Sequence, residues 1–185
     1  MINPKILKQK VMAELGSGFR ENNPKGVQVQ GFMDAECYRQ ALSEISSADF
    51  KKSEQRNTHS YFEARPEALS FFSSKEFLSF ASAVVGKKLT KAHCTLRIFL
   101  AGSYTLLHDN PEKGVEFYFD LTQGWNNEAG GAIAYLTAGG EKLAIPPSPN
   151  TLIIAEAGRS YVKYVNHLAG EEGRLVVYGV MKQKR

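Results

Sequence analysis

The side chains best suited to chemistry lie in the stretch LAGSYTLLHDNPEKGVEFYFDLTQGWNNEAGGAIAYL, residues 100–136, and centre on His108, which is followed by Asp109 and Asn110. Side chains alternate along a strand with a period of two, so a histidine and a carboxylate two residues on share one face and make a pair of metal ligands. Here position 110 holds an amide. A neutral oxygen is a weaker ligand and leaves a dication less compensated. Asp109 has the charge, but in a continuing strand it points to the opposite face. It serves only if the strand ends at His108 and the chain turns at Asn110-Pro111. From the residues alone His108 stays open between a metal ligand and a hydrogen-bonded histidine at a strand end.

Holding such a residue in place takes a frame of regular elements. Asn3-Pro4 supplies a capping side chain and a preset φ, and Gly16 a stop, which predicts a helix over 4–15. Val27 and Val29 open a short strand running toward Phe32. Asp34 caps a second helix that carries Tyr38, Ala41, Leu42 and Ile45 at helical spacing. The polar stretch 49–63 is compatible with a strand or an ordered loop. Residues 66–72 and 75–85 read as a broken helical pair, the second opened by Ser73 with Glu76 at capping-box spacing and closed by Gly86. After Gly86 the texture changes to strands, at 92–99, 103–109, 114–121, 131–136, 141–145, 150–157, 160–168 and 174–181. In the third of these Val115, Phe117, Phe119 and Leu121 alternate. Eight short strands separated by tight turns predict a two-sheet jelly roll or barrel. The N-terminal helices pack on one of its sheets.

Composition bounds the class of protein. A chain of 185 residues, 43% hydrophobic and 23% charged, is that of one soluble domain. We divide it into a helical support region, 1–90, and a β-core, 91–182. The net charge of +4 comes from dispersed lysines, with small clusters at Lys51-Lys52 and at Lys87, Lys88 and Lys91. Dispersed charge reads first as a solvated surface, and a nucleic-acid partner is not excluded. Two cysteines, Cys37 and Cys94, make no disulfide framework and suit a reducing compartment. No apolar run approaches ~18 residues and the N-terminus lacks the apolar core of a secretory signal, so a cytoplasmic protein without a membrane span is expected.

Four segments taken together, SYTLLHDN, FYFDLTQGW with NNEAGGAIAYL, PPSPNTLIIAEAG and YVKYVNHLAGEEGRLVVYG, resemble the core of the prolyl-hydroxylase-type 2-oxoglutarate and Fe(II)-dependent oxygenases. The resemblance runs from about Thr95 to Gly179 and is closest to the branch that hydroxylates a ribosomal-protein proline. Its landmarks are His108 with an acidic follower, Trp125 ahead of Gly130-Gly131, the Pro149-Asn150-Thr151-Leu152 segment, and Arg174 at the head of the last strand. It implies an α+β fold, a double-stranded β-helix (jelly roll) of about eight strands with N-terminal helices on one sheet. It also implies Fe(II) and 2-oxoglutarate as cofactors and a protein or ribosome-associated substrate. In such proteins two histidines and a carboxylate hold the metal and leave positions open for cosubstrate and oxygen. His108 then resembles the first ligand, with Asn110 and Asp109 at the carboxylate's place. Arg174 resembles the cosubstrate anchor, whose planar fork grips a carboxylate, and Tyr104 joins it there. The plain alternative for Arg174 is a surface ion pair with Glu171 or Glu172.

This chain departs from the pattern at two of three ligand positions. Asn110 is not an acid, and matching YVKYVNHL to the family segment puts Lys163 at the second histidine's place, with Val162 next if the register slips by one. His167 lies closer to Arg174 than the family's second ligand does. An ammonium repels Fe(II) but supplies the positive charge a missing metal would have brought. Three readings follow: a non-oxidising binding protein on this fold, with Lys163 and Arg174 taking an acidic group; an active hydroxylase with a variant metal site; or a structural interaction domain.

Overall fold

The computed structural model describes residues 1–53, 58–59, 61–109, 114–137, 139–140, 142–158, 161–169 and 173–183. Helix α1 spans Gln9–Glu21, later and longer than the 4–15 expected. Asn3 caps only a turn, its Oδ1 accepting from the Lys5 N–H at 3.1 Å. Gly16 is buried inside the helix instead of ending it, where α1 packs against the third helix near the Val84 carbonyl. Strand β1 (Gly26–Gln30) and helix α2 (Ala35–Ile45) follow, the helix capped by the Asp34 carboxylate accepting from Cys37 N–H at 2.9 Å. The stretch left open between 49 and 63 contains β2 (Lys51–Ser53), β3 (Thr58–His59) and the start of β4 (Tyr61–Ala64).

The expected helical pair is a 3-10 helix, Glu67–Ser73, and then α3, Lys75–Val85. Its cap lies one residue later than expected, because Ser74 Oγ accepts from Phe77 N–H at 3.2 Å while Ser73 Oγ donates to the Ala92 carbonyl. Gly86 closes α3 in the left-handed conformation, φ 71°. Beyond it run β5 (Leu89–Phe99), β6 (Tyr104–Thr105), β7 (Gly114–Asp120), β8 (Ile133–Thr137), β9 (Lys142–Ile145), β10 (Thr151–Ala157), β11 (Tyr161–Val165) and β12 (Arg174–Gln183). The strand expected over 103–109 is pared down to β6 and a single antiparallel bridge between His108 and Lys163.

The large sheet has the order β1-β10-β7-β12-β5-β4-β2, so the first 90 residues contribute three of its strands as well as the helices. Facing it are β11-β8-β9 and the β3-β6 pair, tied to β11 where Thr105 Oγ1 accepts from Val165 N–H at 2.7 Å. The alternation along β7 divides the interior into two cores. Val115, Phe117, Phe119 and Leu121 face the helices and join Phe32, Phe72, Phe77 and Phe80; the Phe72 and Phe117 rings stack at 5.3 Å. Tyr118 faces the other way, into the space between the sheets, with Tyr61, Phe99, Ile133, Tyr135, Val165 and Val176. Covered on both faces, β7 is buried along its whole length. That second core holds the site.

Candidate functional site

Burial on both faces forces the polar residues of β7 into the interior. Glu116 and Asp120, each 1% exposed, alternate with Phe117 and Phe119 and point between the sheets. A buried carboxylate needs a cation or several donors, and each has found its own. Glu116 Oε2 accepts from Lys163 Nζ on β11, and its Oε1 from the Tyr135 hydroxyl on β8 at 2.9 Å. Asp120 Oδ2 accepts from Arg174 Nη2 at 2.7 Å, and Arg174 Nη1 donates to the Gly131 carbonyl. Two buried ion pairs therefore stand at opposite ends of β7.

Between them is a cavity of about 70 Å³ lined by Tyr61, Arg97, Phe99, Thr105, His108, Tyr118, Ile133, Lys163, Tyr164, Val165, Arg174 and Val176. Two buried atoms of its lining, the Tyr61 hydroxyl and Arg174 Nε, have no hydrogen-bond partner among the described residues. Lys163 Nζ lies 4.9 Å from the centre of the Tyr178 ring and 5.4 Å from that of Tyr118. Burial pulls the Lys163 pKa down, but Tyr118 and Glu116 more than offset it, and the amine is held protonated with its pKa above the ordinary value. The phenols of Tyr118 and Tyr135 are pushed up, chiefly by burial, and stay neutral. His108 Nδ1 lies 2.8 Å from the Leu106 carbonyl and must donate to it, which leaves the lone pair on Nε2. Burial holds the His108 pKa below its usual value, with the Lys163 ammonium adding to the effect against the Leu106 bond.

Three of the expected residues meet here. His108, Lys163 and Arg174 line the same cavity, and His108 and Lys163 exchange backbone hydrogen bonds of 3.0 and 2.9 Å. Lys163 is 6% exposed and Val162 37%, so it is Lys163 that faces inward. Arg174, 0% exposed, is no surface residue; its acidic partner among the described residues is Asp120, while Glu171 and Glu172 lie outside them. Asn110 also lies outside the described residues, and Asp109 is exposed. Tyr104 does not line the cavity: it sits in β6 with its ring 6.3 Å from that of the exposed His167.

The glycine landmark has a steric cause. Gly130 takes φ 81° where a β-carbon would fall 2.0 Å from the His167 carbonyl oxygen, and Gly131 lies under the Trp125 ring while its own carbonyl receives Arg174. Sequence reasoning missed Glu116, Asp120, Arg97 and Tyr61. The signal for the acids was present, since two carboxylates on the apolar strand VEFYFDL are out of place unless both faces are covered.

The described residues do not fit a metal. Among them no three His, Cys, Asp or Glu side chains come together, both Glu116 oxygens are engaged, and the position beside His108 is filled by an ammonium. A cation there would meet like charge.

In structure the chain is similar to a prolyl-4-hydroxylase of Pseudomonas putida, with TM-score 0.77 and 15% identity over 94% of this chain and 100% of that one. It is similar too to a 2OG-Fe(II) oxygenase family oxidoreductase of Burkholderia pseudomallei (TM-score 0.74, 14% identity, 92% and 90% covered). A third is a Trichoplax adhaerens prolyl hydroxylase in complex with a hypoxia inducible factor oxygen degradation domain peptide fragment (TM-score 0.75, 16% identity, 95% and 92% covered). The fold is that of the prolyl-hydroxylase-like 2-oxoglutarate/Fe(II) oxygenases. In sequence, the prolyl 3-hydroxylase OGFOD1 of Mus musculus is 34% identical over 89 residues, 43% of this chain and 16% of that protein's length. No family model matches.

Proposed function

We propose that this chain is a non-oxidising binding protein built on the prolyl-hydroxylase fold, with 1–185 as one domain and an acidic small molecule or acidic peptide group as its ligand. The observation that carries the reading is the buried Lys163–Glu116 pair beside His108. It places a permanent positive charge and its own counter-ion where the resemblance calls for a second histidine and a metal. Charge supports the reading as well. Arg97, Lys163 and Arg174 face Glu116 and Asp120, one cation more than the carboxylates paired with them.

The test is anaerobic addition of Fe(II) and 2-oxoglutarate to concentrated protein, followed by oxygen. The expected result is no metal-to-ligand charge-transfer band and no succinate. Succinate above the protein-free control would establish the second reading, an active protein hydroxylase with a variant metal site, which His108 Nε2 in the cavity lining favours. The resemblance and the sequence pI of about 9.0 further support a ribosome-associated partner. Co-sedimentation with ribosomes across a salt series checks the partner, and absence from the pellet at low salt removes it.

A further inference from the structure

With both buried cations of the cavity engaged by carboxylates, the remaining cation of its wall becomes informative. Arg97, on β5, lies with its guanidinium carbon 4.0 Å from the centre of the Tyr178 ring and 4.9 Å from that of Tyr61. Its Nε donates to Thr95 Oγ1 at 3.3 Å, and among the described residues no acceptor engages its two terminal nitrogens. Glu63, opposite it across the β4–β5 pair, forms no ion pair with it. Stacking between two rings holds a guanidinium plane in place, so little freedom is lost when its fork closes on a carboxylate. The neighbouring Tyr61 side chain is 1% exposed, and among the described residues its hydroxyl has no partner. Leaving such a donor unmade is costly, and an anionic acceptor is the strongest way to satisfy it. Arg97 also lines a second, open groove of about 720 Å³ that carries Arg65, His93 and Lys182 against one acid, Glu67. It thus belongs to the walls of both the groove and the cavity.

We propose that Arg97 and Tyr61 form a carboxylate-binding subsite in the cavity wall, distinct from Arg174. The ligand is a carboxylate on a short aliphatic stem, which enters from the basic groove and lays its stem against Phe99 and Val176. The source is either a free small acid or a Glu or Asp side chain of a peptide. The proposal rests on the binding-protein reading for its ligand class, yet it is tested separately.

The experiment is calorimetric titration of the full chain with propionate, with succinate, and with a blocked Gly-Glu-Gly peptide. It is repeated on Arg97→Gln, Arg97→Lys and Tyr61→Phe, with folding checked by circular dichroism. Expected is saturable binding weakened about tenfold or more by Arg97→Gln, less by Arg97→Lys, and about tenfold by Tyr61→Phe, corresponding to the loss of a charge-assisted hydrogen bond. Tighter binding of the peptide than of propionate assigns the carboxylate to a protein side chain; equal binding assigns it to a free acid. Should Arg97→Gln fail to fold, Tyr61→Phe, which deletes one oxygen, decides alone. Affinities unchanged in the variants, or no heat with any carboxylate, overturn the subsite. Succinate production in the Fe(II) assay overturns the non-oxidising reading and leaves the Arg97 result standing.

Discussion

Lys163 and Glu116 are held in the interior by one another, and removing either leaves an uncompensated buried charge. Lys163→Met should therefore destabilise the protein by about 3–5 kcal/mol in urea unfolding, whereas Lys163→Met with Glu116→Leu should recover most of the loss, because apolar replacement of a whole buried pair is commonly neutral or better. A single variant as stable as the parent would show that the pair is not closed in solution. His108 yields a pH dependence of definite sign. Its folded pKa is depressed, so between that value and about 6.5 the unfolded chain binds more protons than the folded one, and stability rises with pH. The His108 contribution is complete above about pH 6.5 and is lost as pH falls through the folded pKa. Urea midpoints measured from pH 7.5 to 5 should fall more steeply for the parent than for His108→Gln. At this scale His108 stood out from its own neighbours, whereas Lys163 and Arg174 were singled out by the family resemblance. Glu116 and Asp120 left a signal in the apolar strand VEFYFDL that went unread, and Tyr61 left none, since its significance depends on burial that local pattern does not reveal.

Elements answer to local chemistry where caps are concerned and to packing where glycines are. Ser74→Ala deletes the acceptor for the Phe77 N–H and should cost about 1 kcal/mol, while Ser73→Ala, which loses a weaker bond to Ala92, should cost less; thermal melts of the two variants check which serine caps α3. Gly179 lies in the middle of β12, where a β-carbon would come 2.4 Å from the Phe117 ring and 2.9 Å from Cys94 Cβ. Gly179→Ala should cost about 1–3 kcal/mol by overpacking, and an unchanged melting temperature would mean that the Phe117 ring moves freely. Helix α2 was readable down to its cap because Asp34 acts within its own turn. Helix α1 was misplaced because Gly16, read as a stop, lies inside the helix, buried where α1 packs on α3.

For the molecule as a whole, ligand linkage separates the readings of function. A ligand present at 100 times its Kd stabilises by about 2.7 kcal/mol, which for a domain of this size is a rise of roughly 5–10 °C. Fe(II), added anaerobically, should add nothing to whatever rise in melting temperature millimolar 2-oxoglutarate gives by itself, and a further rise that requires the metal would revive the oxygenase. Among the described residues no helix is long and apolar enough to cross a membrane. The sequence by itself determined the order of helices and strands outside residues 49–63, the caps at Asp34 and Gly86, and the alternation along β7. All of these follow from neighbours a few residues apart. Only the tertiary structure decided that Lys163 closes on Glu116, that Arg174 closes on Asp120, and that Arg97 lies over the Tyr61 ring in the cavity wall. Those pairings join strands far apart in the chain, and they exist because the sheets and helices cover both faces of β7 and leave its charges no partner but one another.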